Sequence, residues 1–387
     1  MTTKNNIPTG YKDSAVGIIP QEWEVDRLGE ICLTFKSGTT ITSQSIKESG
    51  LYPVYGGNGL RGYTDSYTHN GDYILIGRQG ALCGNINFIR GKAYISEHAI
   101  AVQPNESNSI EFLRYKLDFW NLNRFSESSA QPGLSVEKLV RYKLAVPPME
   151  EQRKIAEILG VWDEAIERQS RLIEKLEMRK RALMQRLLTG RTRLPGFTTP
   201  WQKVKLGEIF KERNETKCEH LPLLSITAER GVILQSESDK KDTSNDDKSK
   251  YKRICPNDIG YNTMRMWQGR SALSAMEGIV SPAYTIVTPK VGIDPLFISE
   301  LIKQPRVVYD FWTHSQGLVG DTLNCKFHDF SQVKVAIPSL PEQKAIEEVL
   351  TAADNEINIH RKKLDALRLQ KRGLMQQLLT GKTRVKI

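Results

Sequence analysis

Leu183-Met-Gln-Arg-Leu-Leu-Thr-Gly190-Arg-Thr-Arg193 returns later in the chain as Leu374-Met-Gln-Gln-Leu-Leu-Thr-Gly381-Lys-Thr-Arg384. The match extends without a gap over residues 144–194 and 335–385, at a constant offset of 191, and 21 of its 51 positions are identical. Repetition at this level predicts a chain built from two copies of one structural unit.

Each copy contains a predicted helix that begins beside a proline and ends at a glycine, Gly190 or Gly381. Apolar residues alternate at spacings of four and three, which is typical of a coiled-coil seam. The predicted seam positions of the first helix are Ile155, Leu159, Trp162, Ile166, Gln169, Ile173, Leu176 and Lys180. Those of the second are Ile346, Leu350, Ile357, His360, Leu364, Leu367 and Lys371. The polar positions recur in register, which favours pairing in a fixed register.

Two helices of equal length with a globule between them can pair antiparallel within one chain. Two alternatives remain open from the sequence: each helix packs on its own globule, or each forms a dimer with another chain.

A second repeat opens each globule, Trp23-Glu-Val-Asp-Arg-Leu28-Gly-Glu-Ile31 and Trp201-Gln-Lys-Val-Lys-Leu206-Gly-Glu-Ile209. Short β-rich runs at 52–55, 71–76, 99–102 and 283–287 and helical runs at 110–121 and 295–303 make each globule mixed. We therefore predict an α+β fold, a pseudo-twofold tandem repeat of two mixed α/β domains separated by two long antiparallel coiled-coil helices. The predicted boundaries are 1–147 for the first globule, 148–190 for the first helix, 191–338 for the second globule and 339–387 for the second helix.

Composition limits the class of protein. The net charge of +10 and the pI of about 9.2 favour a polyanionic partner, although many basic proteins bind none. Five scattered cysteines without a C-x-x-C pair predict neither a disulfide framework nor a zinc ribbon. The sequence also lacks a signal core and any apolar run of membrane-spanning length, so we expect a cytoplasmic protein without membrane contact.

Base edges in DNA are read by Arg, Lys, Asn and Gln, because these side chains offer paired donors or donor–acceptor sets to purines. On apparent loops of the first globule the candidates are Asn58, Arg61, Arg78 and Gln79. On apparent loops of the second they are Asn262, Arg265, Gln268 and Arg270. Residues suited to phosphates are Lys248, Lys250, Lys252 and Arg253, beside a polar tract at 236–250 that we predict to be a surface loop. Each could instead be an ordinary solvated residue.

Two stretches resemble nucleotide-binding motifs, but the residues around them do not fit such motifs. Gly57-Asn-Gly-Leu-Arg-Gly62 spells G-x-G-x-x-G, but the residues after it, 63–71, are poor helix formers, so a strand-connecting loop is the better interpretation. Gly381-Lys-Thr383 resembles the end of a P-loop, yet Gln376 stands where the first glycine belongs, and a helix cap explains it better. The six histidines show no metal-binding spacing.

The combination of motifs resembles the DNA-specificity subunit of type I restriction-modification systems. The Trp-x-x-x-x-Leu-Gly-Glu-Ile opening, the hinge with Ile-Pro (Val-Pro in the first copy) before Glu-Gln, the heptad helix and the Leu-Leu-Thr-Gly ending are each present twice. Tyr11-Lys-Asp-Ser-Ala-Val-Gly-Ile-Ile-Pro-Gln-Glu-Trp23 strengthens the resemblance, which covers residues 10–387.

The resemblance implies a non-catalytic protein in which each globule is a target-recognition domain that reads one half of an asymmetric, interrupted DNA site. It implies that the paired helices hold the domains apart and dock two modification (methyltransferase) subunits. Restriction (helicase-nuclease) subunits would complete the assembly. S-adenosylmethionine, ATP and Mg²⁺ would be bound by those subunits and no cofactor by this chain. A coiled-coil adaptor and a stand-alone DNA enzyme remain the alternatives.

Overall fold

The computed structural model describes residues 7–80, 82–126, 132–227, 230–238, 247–317 and 323–387. The chain divides into two compact units, the first formed by 1–171 and 362–387 and the second by 172–361. Each unit therefore contains part of both long helices. Among the described residues, none of the helices is long and apolar enough to cross a membrane.

The long helices are α3, Met149–Leu187, and α8, Leu340–Leu379. Gly190 and Gly381 adopt positive φ values of 68° and 73°, a conformation that costs glycine little. Their N–H groups donate to the carbonyls of Leu187 and Leu378, each at 3.2 Å. Both glycines thus cap a helix, as predicted, and the P-loop-like Gly381-Lys-Thr383 is part of such a cap.

The two helices pair antiparallel in the second unit. Glu177 forms an ion pair with Arg361, and Lys180 lies 2.6 Å from a carboxylate oxygen of Asp354. Residue numbers rise along one helix as they fall along the other. In the first unit the repeat-equivalent seam lysine, Lys371, lies 2.5 Å from Asp163. Pairing within one chain is therefore confirmed, and it excludes the alternative in which each helix packs only on its own globule.

The first unit contains these shorter elements: β1 Tyr11–Lys12, β2 Ile19–Pro20, β3 Glu24–Arg27, β4 Cys32–Ser37, β5 Tyr52–Gly56, β6 Gly59–Thr64, β7 His69–Asn70, β8 Tyr73–Gly77, β9 Ile86–Ile89, β10 Lys92–Ile95, β11 Ala99–Pro104, α1 Ile110–Phe119, α2 Val136–Leu139 and β12 Lys143–Val146. Its two larger sheets have the strand orders β6-β5-β10-β7 and β4-β11-β8-β9, and β1-β2 and β12-β3 form two-stranded pairs.

The second unit contains a similar series: β13 Gln202–Lys205, α4 Leu206–Ile209, β14 Phe210–Arg213, β15 Leu224–Thr227, β16 Gly231–Leu234, β17 Lys252–Ile254, β18 Ile259–Asn262, β19 Ser271–Leu273, β20 Gly278–Val280, β21 Tyr284–Pro289, α5 Pro295–Leu301, α6 Pro305–His314, α7 Phe327–Gln332 and β22 Lys334–Ile337. Its four-stranded sheet has the order β14-β21-β18-β19, which repeats β4-β11-β8-β9 of the first unit, and β13-β22 repeats β3-β12. The tandem repeat predicted from the sequence therefore extends into the globules.

The central strands β8 and β11 of the β4-β11-β8-β9 sheet are buried on both faces. In the first unit Ile74, Ile76 and Ile100 pack on α1, while Leu75 and Ala101 belong to the cluster on the opposite face. Burial on both faces explains why β8 and β11 read as nearly continuous apolar runs. The predicted helices at 110–121 and 295–303 are α1 and α5, which end at Phe119 and Leu301. Residues 239–246 of the predicted surface loop lie outside the described residues.

Buried polar residues join each globule to a helix start. Glu151 is fully buried, and its carboxylate accepts hydrogen bonds from the Trp23 indole at 2.9 Å and from the Arg384 guanidinium at 2.7 Å. In the second unit Glu342 accepts from Trp201 at 3.4 Å and from Arg193 at 2.5 Å. We call each Trp–Glu–Arg set a helix-start clamp. Because each clamp uses a Trp, a Glu and an Arg, the sequence has these three residues in both copies.

The glutamine after each clamp glutamate fixes a second contact. Gln152 accepts a hydrogen bond from the N–H of Ser109, the N-cap residue of α1, at 2.8 Å. Gln343 accepts one from the N–H of Asp294, the N-cap residue of α5, also at 2.8 Å. Helices α1 and α5 are therefore equivalent, with a residue offset of 185.

Candidate nucleic-acid interface

Arg78 and Gln79 of the first unit lie on a connection that is equivalent to the one with Arg265, Gln268 and Arg270 in the second unit. The first connection links β8 to β9, and the second connection links β18 to β19. The N–H of Arg78, the first residue of the first connection, donates to the carbonyl of His98 at 2.9 Å. The N–H of Thr263, the first residue of the second, donates to the carbonyl of Ala283 at 3.3 Å. Both pairs keep the offset of 185, so one backbone frame presents two different sets of side chains.

In the first unit a hairpin meets the first connection. Gly57 and Asn58 form the two-residue turn between β5 and β6. A Cβ at Gly57 would lie 2.7 Å from the His98 carbonyl oxygen and 3.5 Å from the Arg78 nitrogen. The Gln79 side-chain oxygen lies 3.2 Å from the His98 ring. The structure thus brings together the turn with Asn58 and the pair Arg78 and Gln79.

Arg61 belongs to the same group but was misplaced by the sequence analysis. It lies on β6 and not on a loop, and its side chain extends over Gly56, where a Cβ would stand 2.6 Å from the arginine Cδ. Arg61 and its neighbour Leu60 are both exposed. In the G-x-G-x-x-G stretch only Gly57 and Asn58 form a connecting turn, and Gly59–Gly62 belong to β6, so the loop interpretation holds for the first two residues alone. The next element is again a strand and not the helix that a dinucleotide fingerprint requires.

The second group surrounds a single turn of 3-10 helix at Met266–Gln268. Asn262 is the last residue of β18 and Gln268 belongs to the 3-10 turn, so the prediction that both lie on loops was wrong for these two. Burial raises the pKa of the Tyr284 hydroxyl, whereas the charge of Arg270 and a hydrogen bond with Asn262 lower it. These two residues therefore meet at Tyr284, while Arg265 begins the turn, exposed.

The arginines of both groups are free to bind. No carboxylate among the described residues pairs with the side chain of Arg61, Arg78, Arg265 or Arg270. All except the half-buried Arg78 are exposed. A guanidinium that already has a carboxylate partner must lose that partner before it can bind a base or phosphate, and these four have no such cost.

The predicted phosphate-binding residues differ among themselves. Arg253 lies on β17, where its guanidinium contacts Glu215 at 2.7 Å and Glu277 at 2.5 Å, so two carboxylates already offset its charge. Lys252, its neighbour on β17, shares the lining of a surface cavity of about 530 Å³ with Thr263. Lys248 and Lys250 precede this strand, and Lys250 is exposed.

Three residues near the two groups were missed from the sequence. His98 anchors both Arg78 and Gln79. It lies in Ser96-Glu-His-Ala-Ile-Ala-Val102-Gln-Pro104, which resembles Ser281-Pro-Ala-Tyr-Thr-Ile-Val287-Thr-Pro289 at the offset of 185, and this short repeat could have revealed it. Leu60 and Met264 are 53% and 50% exposed, beside Asn58 and Arg265. Apolar side chains of this kind contact thymine methyl groups in DNA grooves. No periodicity marks them, because an exposed apolar residue in a turn has no pattern of its own.

Within the described ranges no cluster of three or more His, Cys, Asp or Glu residues could hold a metal ion. The arrangement consists of exposed and half-buried donors and acceptors at strand ends and in the turns beside them, which suits recognition by contact.

Comparison with known proteins gives one family. The family model for the type I restriction modification DNA specificity domain matches residues 20–178 and 298–369, more than half of the chain. The EcoprrI specificity subunit of a type I restriction enzyme from Escherichia coli is 42% identical over 159 residues, a match that covers 40% of this chain and 39% of that protein. The MjaVIII specificity subunit from Methanocaldococcus jannaschii is 26% identical over 411 residues, covering 95% of this chain and 94% of its own length.

Among solved structures, the S subunit of a type I restriction-modification system from M. genitalium has a TM-score of 0.58 at 15% identity. The alignment covers 98% of this chain and 99% of that one. At this identity the similarity shows a shared fold, and it extends over both repeats.

Proposed function

Because the chain belongs to the family of type I restriction-modification DNA specificity domains, we propose that it reads a two-part DNA sequence, one half-site per recognition domain. The observation that supports this most directly is the equivalence of the two connections. One backbone frame, held by the same strand-end hydrogen bond, carries Arg78 and Gln79 in one unit and Thr263, Met264 and Arg265 in the other. Different side chains on one frame suit the reading of two different half-sites.

The proposed contacts divide into two kinds. Direct base reading is assigned to the exposed or half-buried side chains with paired hydrogen-bonding groups: Asn58, Arg61, Arg78, Gln79, Asn262, Arg265, Gln268 and Arg270. Phosphate binding is assigned to Lys248, Lys250 and Lys252, because an ammonium group is a point charge without base-specific geometry. Arg253 is left out, since its two glutamate partners already hold it.

The proposal includes partners that supply the chemistry. We propose that two modification subunits dock on the chain and bring S-adenosylmethionine for DNA methylation, and that restriction subunits bring ATP and Mg²⁺. In this assembly the chain is non-catalytic and determines which DNA sequence is modified, consistent with relatives named specificity subunits. The assembly would act on DNA in the cytoplasm.

The decisive experiment records the methylated motif of a host that expresses the chain with its modification subunit, by sequencing that detects methylated adenine. We expect one two-part motif with an unspecified spacer. Exchange of residues 20–147 for the corresponding domain of a relative should change one half of the motif and leave the other half unchanged. Simultaneous change of both halves would contradict independent reading. A coiled-coil adaptor would give no motif and no salt-dependent, sequence-dependent DNA binding.

A further inference from the structure

A cavity of about 540 Å³ opens in the second unit beside the end of α3. Leu188, Leu301 and Val307 supply apolar walls, and Trp201 forms another part of the lining. The volume falls in the usual range of small-ligand sites, about 300–1,000 Å³. The cavity is separate from the second connection, because the lining contains neither Arg265 nor its neighbours.

The first unit has a buried lysine at the equivalent position. The offset of 185 between α1 and α5 makes Lys116 the counterpart of Leu301. The buried Lys116 ammonium donates to the carbonyl of Leu379, the counterpart of Leu188 at the offset of 191. In the second unit leucine replaces this lysine, and the Leu188 carbonyl accepts no hydrogen bond within the described residues. The replacement leaves space and an unused acceptor.

The polar residues of the lining favour a ligand that has hydrogen-bonding groups at one end and a negative charge at the other. Gln304 lines the cavity and is only 6% exposed, yet its carboxamide has no hydrogen-bond partner in the described part of the chain. Its amide atoms are not among the buried unsatisfied atoms, so they are open to the cavity and available to a ligand or water. An amide donor and acceptor, together with the Leu188 carbonyl, are the kinds of group that pair with the edge of a nucleobase.

The rim of the cavity is cationic. Lys203, Arg306 and Lys334 are exposed at its edge, and none has a carboxylate partner among the described residues, whereas the lining contains one carboxylate, Asp310. His314 also lines the cavity. Three cations against one carboxylate attract an anion, and phosphate is the anion that Lys and Arg bind most readily in combination.

We propose that this cavity binds a nucleoside monophosphate, with the base against Trp201, Gln304 and Leu188 and the phosphate at Lys203, Arg306 and Lys334. We expect the site in the second unit only, because the buried Lys116 takes the place of Leu301 in the first unit. It does not depend on the reading of DNA by the two connections.

Isothermal titration calorimetry on the full chain tests the site with AMP, CMP, adenosine and inorganic phosphate as probes. We expect at least one nucleotide to bind about tenfold more tightly than adenosine or phosphate alone, since both ends of the ligand contribute. Leu301→Lys reproduces the first unit and should weaken nucleotide binding at least about tenfold by filling the cavity. Lys203→Glu changes an exposed residue and should weaken it by a similar factor.

Arg265→Ala is the matched control, because it removes a cation of the second connection and should leave nucleotide affinity unchanged. Absence of binding to the unaltered chain at millimolar nucleotide would overturn the proposal. So would a folded Lys203→Glu variant with unchanged affinity, or loss of affinity in Arg265→Ala. DNA methylation by the assembled complex reports separately on the proposed function, so the two failures are distinguishable.

Discussion

The helix-start clamps have the same residues in both repeats, whereas the two connections have different ones. At the clamps, Trp23, Glu151 and Arg384 recur as Trp201, Glu342 and Arg193 with the same hydrogen-bond partners. At the connections the backbone bond recurs but Arg78 is replaced by Thr263. A buried carboxylate needs specific partners, whereas an exposed side chain at a strand end needs none to fold. The clamps are therefore constrained by folding, and the side chains of the connections are free to diverge.

The largest expected effect tests the clamp. Arg384→Ala should lower the free energy of unfolding of the first unit by about 3–5 kcal/mol, because it leaves the fully buried Glu151 charge without its cation. Arg193→Ala should act similarly on Glu342 in the second unit. Hydrogen exchange resolved by unit, together with urea denaturation, measures both.

A control separates the charge from the packing of the clamp. Glu151→Gln in the Arg384→Ala background removes the uncompensated charge and should recover much of the loss. If the double variant is as unstable as Arg384→Ala alone, the ion pair is not the reason that the clamp is repeated.

The second prediction concerns a buried helix position at which the two units differ in charge, Lys116 against Leu301. Burial lowers the pKa of the Lys116 ammonium from 10.5 to about 8. Between these values the unfolded chain binds more protons than the folded chain, so this lysine makes stability increase as pH rises from about 8 to 10.5. Relative to Lys116→Leu, the unaltered chain should gain up to about 3 kcal/mol across that window, since one pKa unit corresponds to about 1.4 kcal/mol.

The measurement compares urea denaturation of the two proteins near pH 7.5 and pH 10.5. Because the other titrating groups are shared, their contributions cancel in the difference. A difference in stability that stays constant over the window would mean that Lys116 is not held as a buried ammonium.

The long helices could be predicted from the sequence, whereas the placement of the candidate DNA-reading residues could be predicted only in part. Heptad spacing, Gly190 and Gly381 predicted both long helices, since helix periodicity and caps are local properties. The partners of Glu151 could not be predicted, because Trp23 and Arg384 are distant in sequence and meet only in the folded chain. Arg61 was assigned to a loop because Gly59 and Gly62 resemble turn residues, whereas cross-strand pairing with β5 made the stretch a strand. The sequence also could not show which arginines have carboxylate partners, because such pairs form through tertiary contacts. Arg253, which pairs with Glu215 and Glu277, is an example.

The third prediction tests the connections. Arg265→Ala should weaken binding to the target DNA by about 1–3 kcal/mol and relax one position of one half-site, because a guanidinium can donate two hydrogen bonds to guanine. Lys250→Ala should instead weaken binding equally for all sequences and reduce the salt dependence, as expected for a phosphate contact. Binding titrations at two salt concentrations and the methylated motif measure these effects. An unchanged motif with unchanged affinity in Arg265→Ala would remove this residue from the interface.

The smallest expected effect compares the two seam lysines, which occupy equivalent positions in different surroundings. Lys180 pairs with the half-exposed Asp354, and such pairs contribute about 0.2–1 kcal/mol. Lys371 pairs with Asp163, which also accepts a hydrogen bond from the Tyr115 hydroxyl at 2.6 Å. Since that second bond fixes the carboxylate, the coupling energy between Lys371 and Asp163 should exceed the one between Lys180 and Asp354.

Double-mutant cycles with alanine at each pair give the two coupling energies. Tyr115→Phe should reduce the larger coupling towards the smaller one, and equal couplings in the unaltered chain would show that the shared register, rather than the surroundings, sets the strength of these pairs.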